Sequence, residues 1–317
     1  MKKKLKLGIC CPIYNEKENI ANFYDAYSKL CIKIQKKYDL FFLFSDNNSN
    51  DGSFEIVENL SKNNNNIYAL KYSKNYGVMK SIYTAIVESP DDWDLLAVFD
   101  CDLQDPPELL IKLIKEFEKG NPIVCGKRIN RDEPKIISLS RRVYNKLDYL
   151  FSKKTDKPES GAWLLSKNII NHIKKQQLYK EHLPSLISEL GFNPKFINYE
   201  RAKRNKGKTK FNYFSYLSYA VDGIIGSSIT PLRISIFVGI LFGILSIILS
   251  LYFIVAKFYL EINFQEGIAA MIVLVLINFS INFFFLGIIG EYVGRIFNKE
   301  QINMTALIEK KIKPKRY

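Results

Sequence analysis

The 317-residue chain is 47% hydrophobic and 25% charged, an ordinary globular composition that excludes a disordered protein. Its formal net charge of +14 calls for an acidic partner, whether nucleic acid, anionic lipid or a phosphorylated substrate. Five cysteines, Cys10, Cys11, Cys31, Cys101 and Cys125, form an odd set without a Cys-x-x-Cys pair; this argues against a disulfide framework or zinc site and favours a reducing compartment.

Met1-Lys2-Lys3-Lys4 has the look of a signal-peptide start, but Pro12, Asn15 and Glu16 break the short apolar segment behind it. No secretory signal is expected. Residues 5–13 read as a strand ending in Pro12-Ile13-Tyr14-Asn15-Glu16. A helix follows over 18–36, with Ile20, Phe23, Tyr27, Leu30 and Ile34 near helical spacing. A second strand, 40–45, runs into the turn-rich Asp46-Asn47-Asn48-Ser49-Asn50-Asp51-Gly52-Ser53, and a helix over 54–62 comes next. Residues 67–72 are a third strand and 77–88 a helix.

The apolar, β-forming run from Leu95 to Phe99 ends abruptly in Asp100-Cys101-Asp102-Leu103-Gln104-Asp105, where Pro106-Pro107 blocks continuation. A helix over 107–119 with Pro in its first turn and a strand over 122–125 complete the alternation. Strands alternating with helices predict βαβ units and a mostly parallel sheet. Ligands bind such sheets at the carboxyl ends of the strands. Asp100 and Asp102, two apart in extended backbone, share one face there. Paired carboxylates need a cation, and a Mg²⁺-like ion takes one or two of them plus phosphate oxygens.

Beyond residue 210 the composition changes. Phe211, Tyr213, Phe214, Tyr216, Tyr219, Ile224 and Ile225 mark an aromatic, amphipathic stretch suited to a membrane interface. Residues 234–256 and 268–290 contain no charged side chain, and each run is long enough as a helix to cross a bilayer core. Glu261 and Glu266 lie between them, whereas Arg233, Arg295, Lys299 and the Lys310–Arg316 tail flank them. The positive-inside rule then places both termini and the main domain in the cytoplasm, and the basic tail would be drawn to anionic lipid.

With three polar clusters at strand ends, the chain resembles the inverting nucleotide-sugar glycosyltransferases of GT-A fold. Within them it is most similar to the membrane-anchored polyprenyl-phosphate sugar transferases, such as dolichyl-phosphate mannose synthases and bacterial undecaprenyl-phosphate glucosyltransferases. The resemblance rests on Pro12–Glu16, Asp46–Ser53, Lys74-Asn75-Tyr76-Gly77, Asp100–Pro107, Gly126-Lys127-Arg128, the basic run Arg201–Phe211 and Pro231-Leu232-Arg233, in that order. It implies an α/β, GT-A (Rossmann-like, mostly parallel) catalytic domain over 1–210 and amphipathic interfacial helices over 211–232. A two-helix transmembrane hairpin over 233–292 and a basic cytoplasmic tail over 293–317 would follow.

It also implies residue roles. Pro12, Tyr14, Glu16, Asp46 and Asn47 would meet the nucleotide; Asp100, Asp102 and Gln104 would hold Mg²⁺ or Mn²⁺ and the donor diphosphate; Arg128 would add positive charge. Arg201, Arg204 and Lys210 match a loop that meets the acceptor phosphate. Asn47 stands where many relatives carry a second Asp. The Glu159–Leu165 segment lacks the family's Asp, leaving Glu159 as the nearest candidate base.

The implied reaction moves one sugar from a nucleotide sugar (UDP-glucose or similar) to polyprenyl phosphate, with inversion, at the bacterial inner membrane. The product would be a lipid-linked sugar for cell-surface glycan such as O-antigen. A lipid-linked saccharide acceptor and a nucleotide-sugar-binding membrane protein without turnover are the alternatives, and a homo-oligomer is compatible with the family. Two membrane spans and a phosphate-bearing lipid account for the positive charge, and no nucleic-acid module is present in the sequence.

Overall fold

The computed structural model describes residues 3–129, 162–176, 187, 191–201, 244, 248, 251, 252, 255, 267–301 and 305–314. The chain forms two compact units, one of residues 1–134, 156–210 and 303–317 and the other of 135–155 and 211–302. In the first unit the strands are β1 (Leu5–Ile13), β2 (Tyr38–Asp46), β3 (Ile67–Tyr72), β4 (Leu95–Val98), β5 (Ile123–Ile129), β6 (Trp163–Ser166), β7 (Lys195–Glu200) and β8 (Ile308–Ile312). Its helices are α1 (Ile20–Ile34), α2 (Ser53–Asn63), α3 (Val78–Glu88), α4 (Glu108–Glu118) and α5 (Lys167–Gln176).

The strands make one sheet in the order β7-β5-β6-β4-β1-β2-β3-β8. β4, β1, β2 and β3 run parallel, as the alternation of elements predicts, while β6 is antiparallel to both its neighbours and β8 is antiparallel to β3. Side chains alternate across the sheet. Leu7, Ile9, Cys11 and Ile13 of β1 pack with α1, α2 and α4 on one face. Cys10 joins α3 and α5 on the other. Gly8 is required by packing, because a Cβ there would lie 1.9 Å from the buried Trp93 ring.

Three strands were not foreseen from the sequence. β6 has only four residues, too few for a periodic signal, and β7 is half-exposed. β8 falls in the segment expected to be a basic cytoplasmic tail. Its pairing Tyr72↔Ile308 and Lys71↔Lys310 skips Glu309, a bulge that reverses the side-chain alternation. Ile308 therefore packs on one hydrophobic cluster and Ile312 on the other, while the lysines stay at the surface.

In the second unit α6 (Ile268–Gln301) is one unbroken helix of 34 residues. Many of its side chains lie outside the described set, and among the described residues no helix is long and apolar enough to cross a membrane. The expected span 268–290 lies within α6; the span 234–256 and the interfacial stretch 211–232 fall almost wholly outside the described residues.

Candidate active site

The carboxyl ends of β1, β2 and β4 lie side by side, and the loops that leave them are tied together by backbone and side-chain bonds. Asn47 N–H extends the β1–β2 ladder to Ile13 C=O at 2.9 Å, and Phe99 N–H extends the β1–β4 ladder to Cys10 C=O at 3.0 Å. The first loop is pinned to the second. Asn15 N–H donates to Ser49 Oγ (2.9 Å), Glu16 N–H to Ser53 Oγ (3.0 Å) and Lys17 N–H to Asp51 Oδ2 (3.1 Å). Asn50 N–H returns a bond to Asn15 Oδ1 at 3.0 Å. Asn15 and Asn48 both hold positive φ, 56° and 62°, a conformation Asn tolerates better than most residues.

Of the expected nucleotide ligands, Pro12 and Glu16 are partly exposed and Tyr14 is 37% exposed. Asp46 and Asn47 are buried and engaged inside the loop. Burial raises the Asp46 carboxyl above its usual range, opposed by the Ser49 hydroxyl and amide that donate to it. Asn47 Nδ2 donates to Asn75 Oδ1 at 2.7 Å, and Asn47 Oδ1 accepts from Tyr76 N–H at 2.9 Å. Asn75 Oδ1 also accepts Gly77 N–H at 2.9 Å. Both ends of the Asn47 amide therefore shape the third loop, 73–77, beside the first two. This use of Asn75 was not foreseen.

The acidic lip itself is a compact charge cluster. Asp105 is fully buried; Tyr199 O–H donates to it at 2.7 Å and Arg128 Nη2 at 3.3 Å. Arg128 Nε donates to Tyr199 at 3.0 Å and Nη2 lies 3.8 Å from Asp100. Arg201 lies against all three carboxylates, at 3.6 Å from Asp100, 3.9 Å from Asp102 and 3.4 Å from Asp105. The resemblance assigned Arg201 to the acceptor phosphate; in the structure it lies against Asp100, Asp102 and Asp105, two residues beyond Tyr199, which contacts the same cluster. Gln104 N–H donates to Asp102 Oδ1 at 3.1 Å, closing a turn in which Leu103 holds φ 54°. Such a conformation is strained for a bulky side chain and is commonest at functional sites. Glu159, Arg204 and Lys210 lie outside the described residues.

Burial drives the Asp100 carboxyl up to about 6, aided by Asp105 and Asp102 and opposed by Arg128 and Arg201. Arg128 is held above its ordinary value; burial opposes this, but Asp105, Tyr199 and Asp100 outweigh it. With every group charged, Asp100, Asp102 and Asp105 exceed the two arginines by one negative charge. Arg201 Nε, though near Asp105, is buried without a hydrogen bond, so its guanidinium does not complete the cluster. Among the described residues no group of three or more His, Cys, Asp and Glu could hold an ion unaided. Asp100, with 35% of its side chain exposed, and the more enclosed Asp102 at 9% would need further oxygen ligands to hold an ion, a set that suits Mg²⁺ or Mn²⁺ shared with a diphosphate.

A mostly parallel α/β sheet with paired acids and arginines at its strand ends has the arrangement expected of a GT-A glycosyltransferase. Residues 8–219 match the family model described as Glycosyl transferase family 2, and the chain belongs to that family. It is 25% identical over 298 residues to a prophage bactoprenol glucosyl transferase homolog of Escherichia coli, covering 92% of this chain and 95% of the relative. It is 24% identical over 310 residues to the bactoprenol glucosyl transferase of Shigella phage SfX, covering 96% and 99%. Among solved structures it is similar to a glucosyl-3-phosphoglycerate synthase from Mycobacterium tuberculosis in complex with Mn²⁺, UDP and glucosyl-3-phosphoglycerate. That likeness has a TM-score of 0.47 and 17% identity, over 68% of this chain and 76% of the other.

Proposed function

We propose that this chain transfers a single sugar, glucose in the first instance, from a nucleotide sugar to a polyprenyl phosphate with inversion at the anomeric carbon. The observation that carries the reading is the cluster of Asp100, Asp102, Asp105, Arg128, Arg201 and Tyr199 at the mouth of β4, beside the β1 and β2 loops. Asp100 and Asp102 would hold Mg²⁺ or Mn²⁺, which supplies Lewis-acid stabilisation of the departing diphosphate. Arg128 and Arg201 would donate to phosphate oxygens, which a guanidinium fork can bind in pairs. The acceptor phosphate is already anionic, so positioning and electrostatics can supply most of the rate without a strong base. Relatives named bactoprenol glucosyl transferases along nearly the whole chain favour the polyprenyl acceptor.

Membrane anchoring is part of the proposal. Met271, Phe279, Leu286, Val293 and Ile296 of α6 are all more than half exposed, an apolar display that water disfavours and lipid accepts. Its 34 residues amount to about 50 Å of helix, longer than a bilayer core. The catalytic sheet draws β1 to β7 from before residue 201 and β8 from after 307, and a bilayer cannot pass between hydrogen-bonded strands. Were the chain between them to cross a bilayer, it would do so an even number of times, which agrees with two charge-free runs. The catalytic domain and both ends would lie on the cytoplasmic side of the inner membrane.

Purified protein incubated with UDP-, GDP- and dTDP-sugars, undecaprenyl phosphate and Mg²⁺ or Mn²⁺ should yield one lipid monophosphate sugar by mass spectrometry. A product carrying sugar on a lipid-linked saccharide would move the acceptor assignment, and no product from any donor would overturn the reading.

A further inference from the structure

We propose that residues 305–312, which follow α6, are a working part of the donor site, and that docking of this strand and binding of nucleoside diphosphate reinforce one another. The proposal rests on the donor reading given above for the β1–β3 loops.

The segment docks through several independent contacts. Ala306 is 4% exposed within a hydrophobic cluster, and its N–H donates to the buried Thr84 Oγ1 at 2.8 Å. β8 then pairs with β3 up to Tyr72, the last residue before the third loop. Ion pairs Lys71–Glu309, Lys310–Glu58 and Lys311–Glu88 line the strand, exposed enough to add little energy yet able to fix its register.

From there the contacts lead to the pocket. Ser73 N–H donates to Leu307 C=O at 3.0 Å, and Ser73 Oγ shares a 3.1 Å bond with the Tyr76 hydroxyl. Tyr76 N–H in turn holds Asn47 Oδ1, and Asn47 holds Asn75. Leu307 thus closes the 73–77 loop from outside while Asn47 closes it from inside. Undocking the segment removes the outer closure and the edge strand that supports Tyr72. A ligand that needs the loop in this shape binds only the docked form, so its affinity falls with the docked fraction. By the same linkage, the ligand stabilises docking.

The test uses the full chain in nanodiscs, with Ala306→Arg to force bulk and charge into the cluster and Thr84→Val to remove only the oxygen that accepts Ala306 N–H. For Ala306→Arg, the Kd for UDP should rise about tenfold or more. Thr84→Val should raise Kd less, in the same direction. Hydrogen exchange should show amides 73–77 losing protection in Ala306→Arg without ligand, and amides 306–312 of wild type gaining it with UDP. Unchanged protection of 73–77 in Ala306→Arg would overturn the proposal, as would a Kd within twofold of wild type. If wild type bound none of UDP, GDP or dTDP, the donor reading would fall with the linkage to ligand. The outer closure would still stand or fall on the exchange of 73–77 alone.

Discussion

Asp100 lies 3.8 Å from Arg128 and 3.6 Å from Arg201, yet burial and two neighbouring acids raise its pKa to about 6. The folded value is thus above the roughly 3.9 of an unfolded aspartate. Such a group contributes stability in its protonated form; the contribution is full below about pH 4 and is lost as pH rises through 6. At neutral pH the ionised carboxylate therefore costs stability, about 1 kcal/mol once screening at its open side is allowed for. Asp100→Asn removes that cost and should raise Tm at pH 7.5 by roughly 2–4 °C while abolishing sugar transfer. The gain should shrink as pH is lowered to about 4.5, where wild type is protonated too; an equal gain at both pH values would rule out this electrostatic origin. If Asp100 holds the proposed divalent ion, protons compete with it for the carboxylate, and thermal stabilisation by Mn²⁺ should weaken as pH falls through 6. Asp102→Asn tests the other proposed ligand. It should lower turnover roughly 10²-fold or more without unfolding the protein, and near-normal turnover would place the ion elsewhere.

Among the elements, β7 contributes most to the site for its size. Its Tyr199 donates to the fully buried Asp105 and accepts from Arg128, so one hydroxyl orients both charges. Tyr199→Phe leaves a buried carboxylate one donor short and should cost about 1–3 kcal/mol in urea unfolding. It should also lower transfer, because Arg128 loses the bond that orients its guanidinium; a stable variant with unchanged activity would separate Arg128 from the reaction. The contribution of β7 was hidden in the sequence, whereas the strands that carry the acids were not. β1, β2 and β4 are runs of buried apolar residues ending in Asn, Asp and Pro, and that contrast alone located the lip and Asp100 and Asp102. Tyr199 and Arg201 follow residues of mixed polarity, and their meaning depends on β5 lying alongside, a long-range pairing without local pattern. β8 falls within the expected basic tail, because the lysines of 310–316 carry no strand pattern, and only the pairing with β3 and the bulge show two inward isoleucines. The family resemblance supplied the basic-loop role for Arg201, but contact with three acids belongs to tertiary structure.

For the molecule as a whole, the sheet constrains the path of the chain more tightly than charge counting does. The positive-inside rule weighs Arg295, Lys299 and the terminal lysines against Glu261 and Glu266, a bias that a few substitutions could reverse. The seating of β8 beside β3 does not depend on those charges, since both ends of the intervening chain must return to one sheet. The native thiols help in testing this: Cys10, Cys11, Cys101 and Cys125 are buried and Cys31 only partly open, so an introduced cysteine reports with little background. With Asn263→Cys between the two charge-free runs, a membrane-impermeant maleimide should label intact cells whose outer membrane has been opened. Epitopes at the N- and C-termini should be reached only in inverted vesicles, and both together. Termini on opposite faces would require one or three crossings, and the eight-stranded sheet could then not form within a single chain. Labelling of Asn263→Cys only from the cytoplasmic side would instead leave the runs as helices on or beside the membrane. Reversing the flanking charges at Arg233, Arg295 and Lys299 separates the two determinants. If charge alone sets orientation, the termini should move together to the outer face with an intact sheet; if folding of the catalytic unit before insertion holds them, they should stay, with lower yield.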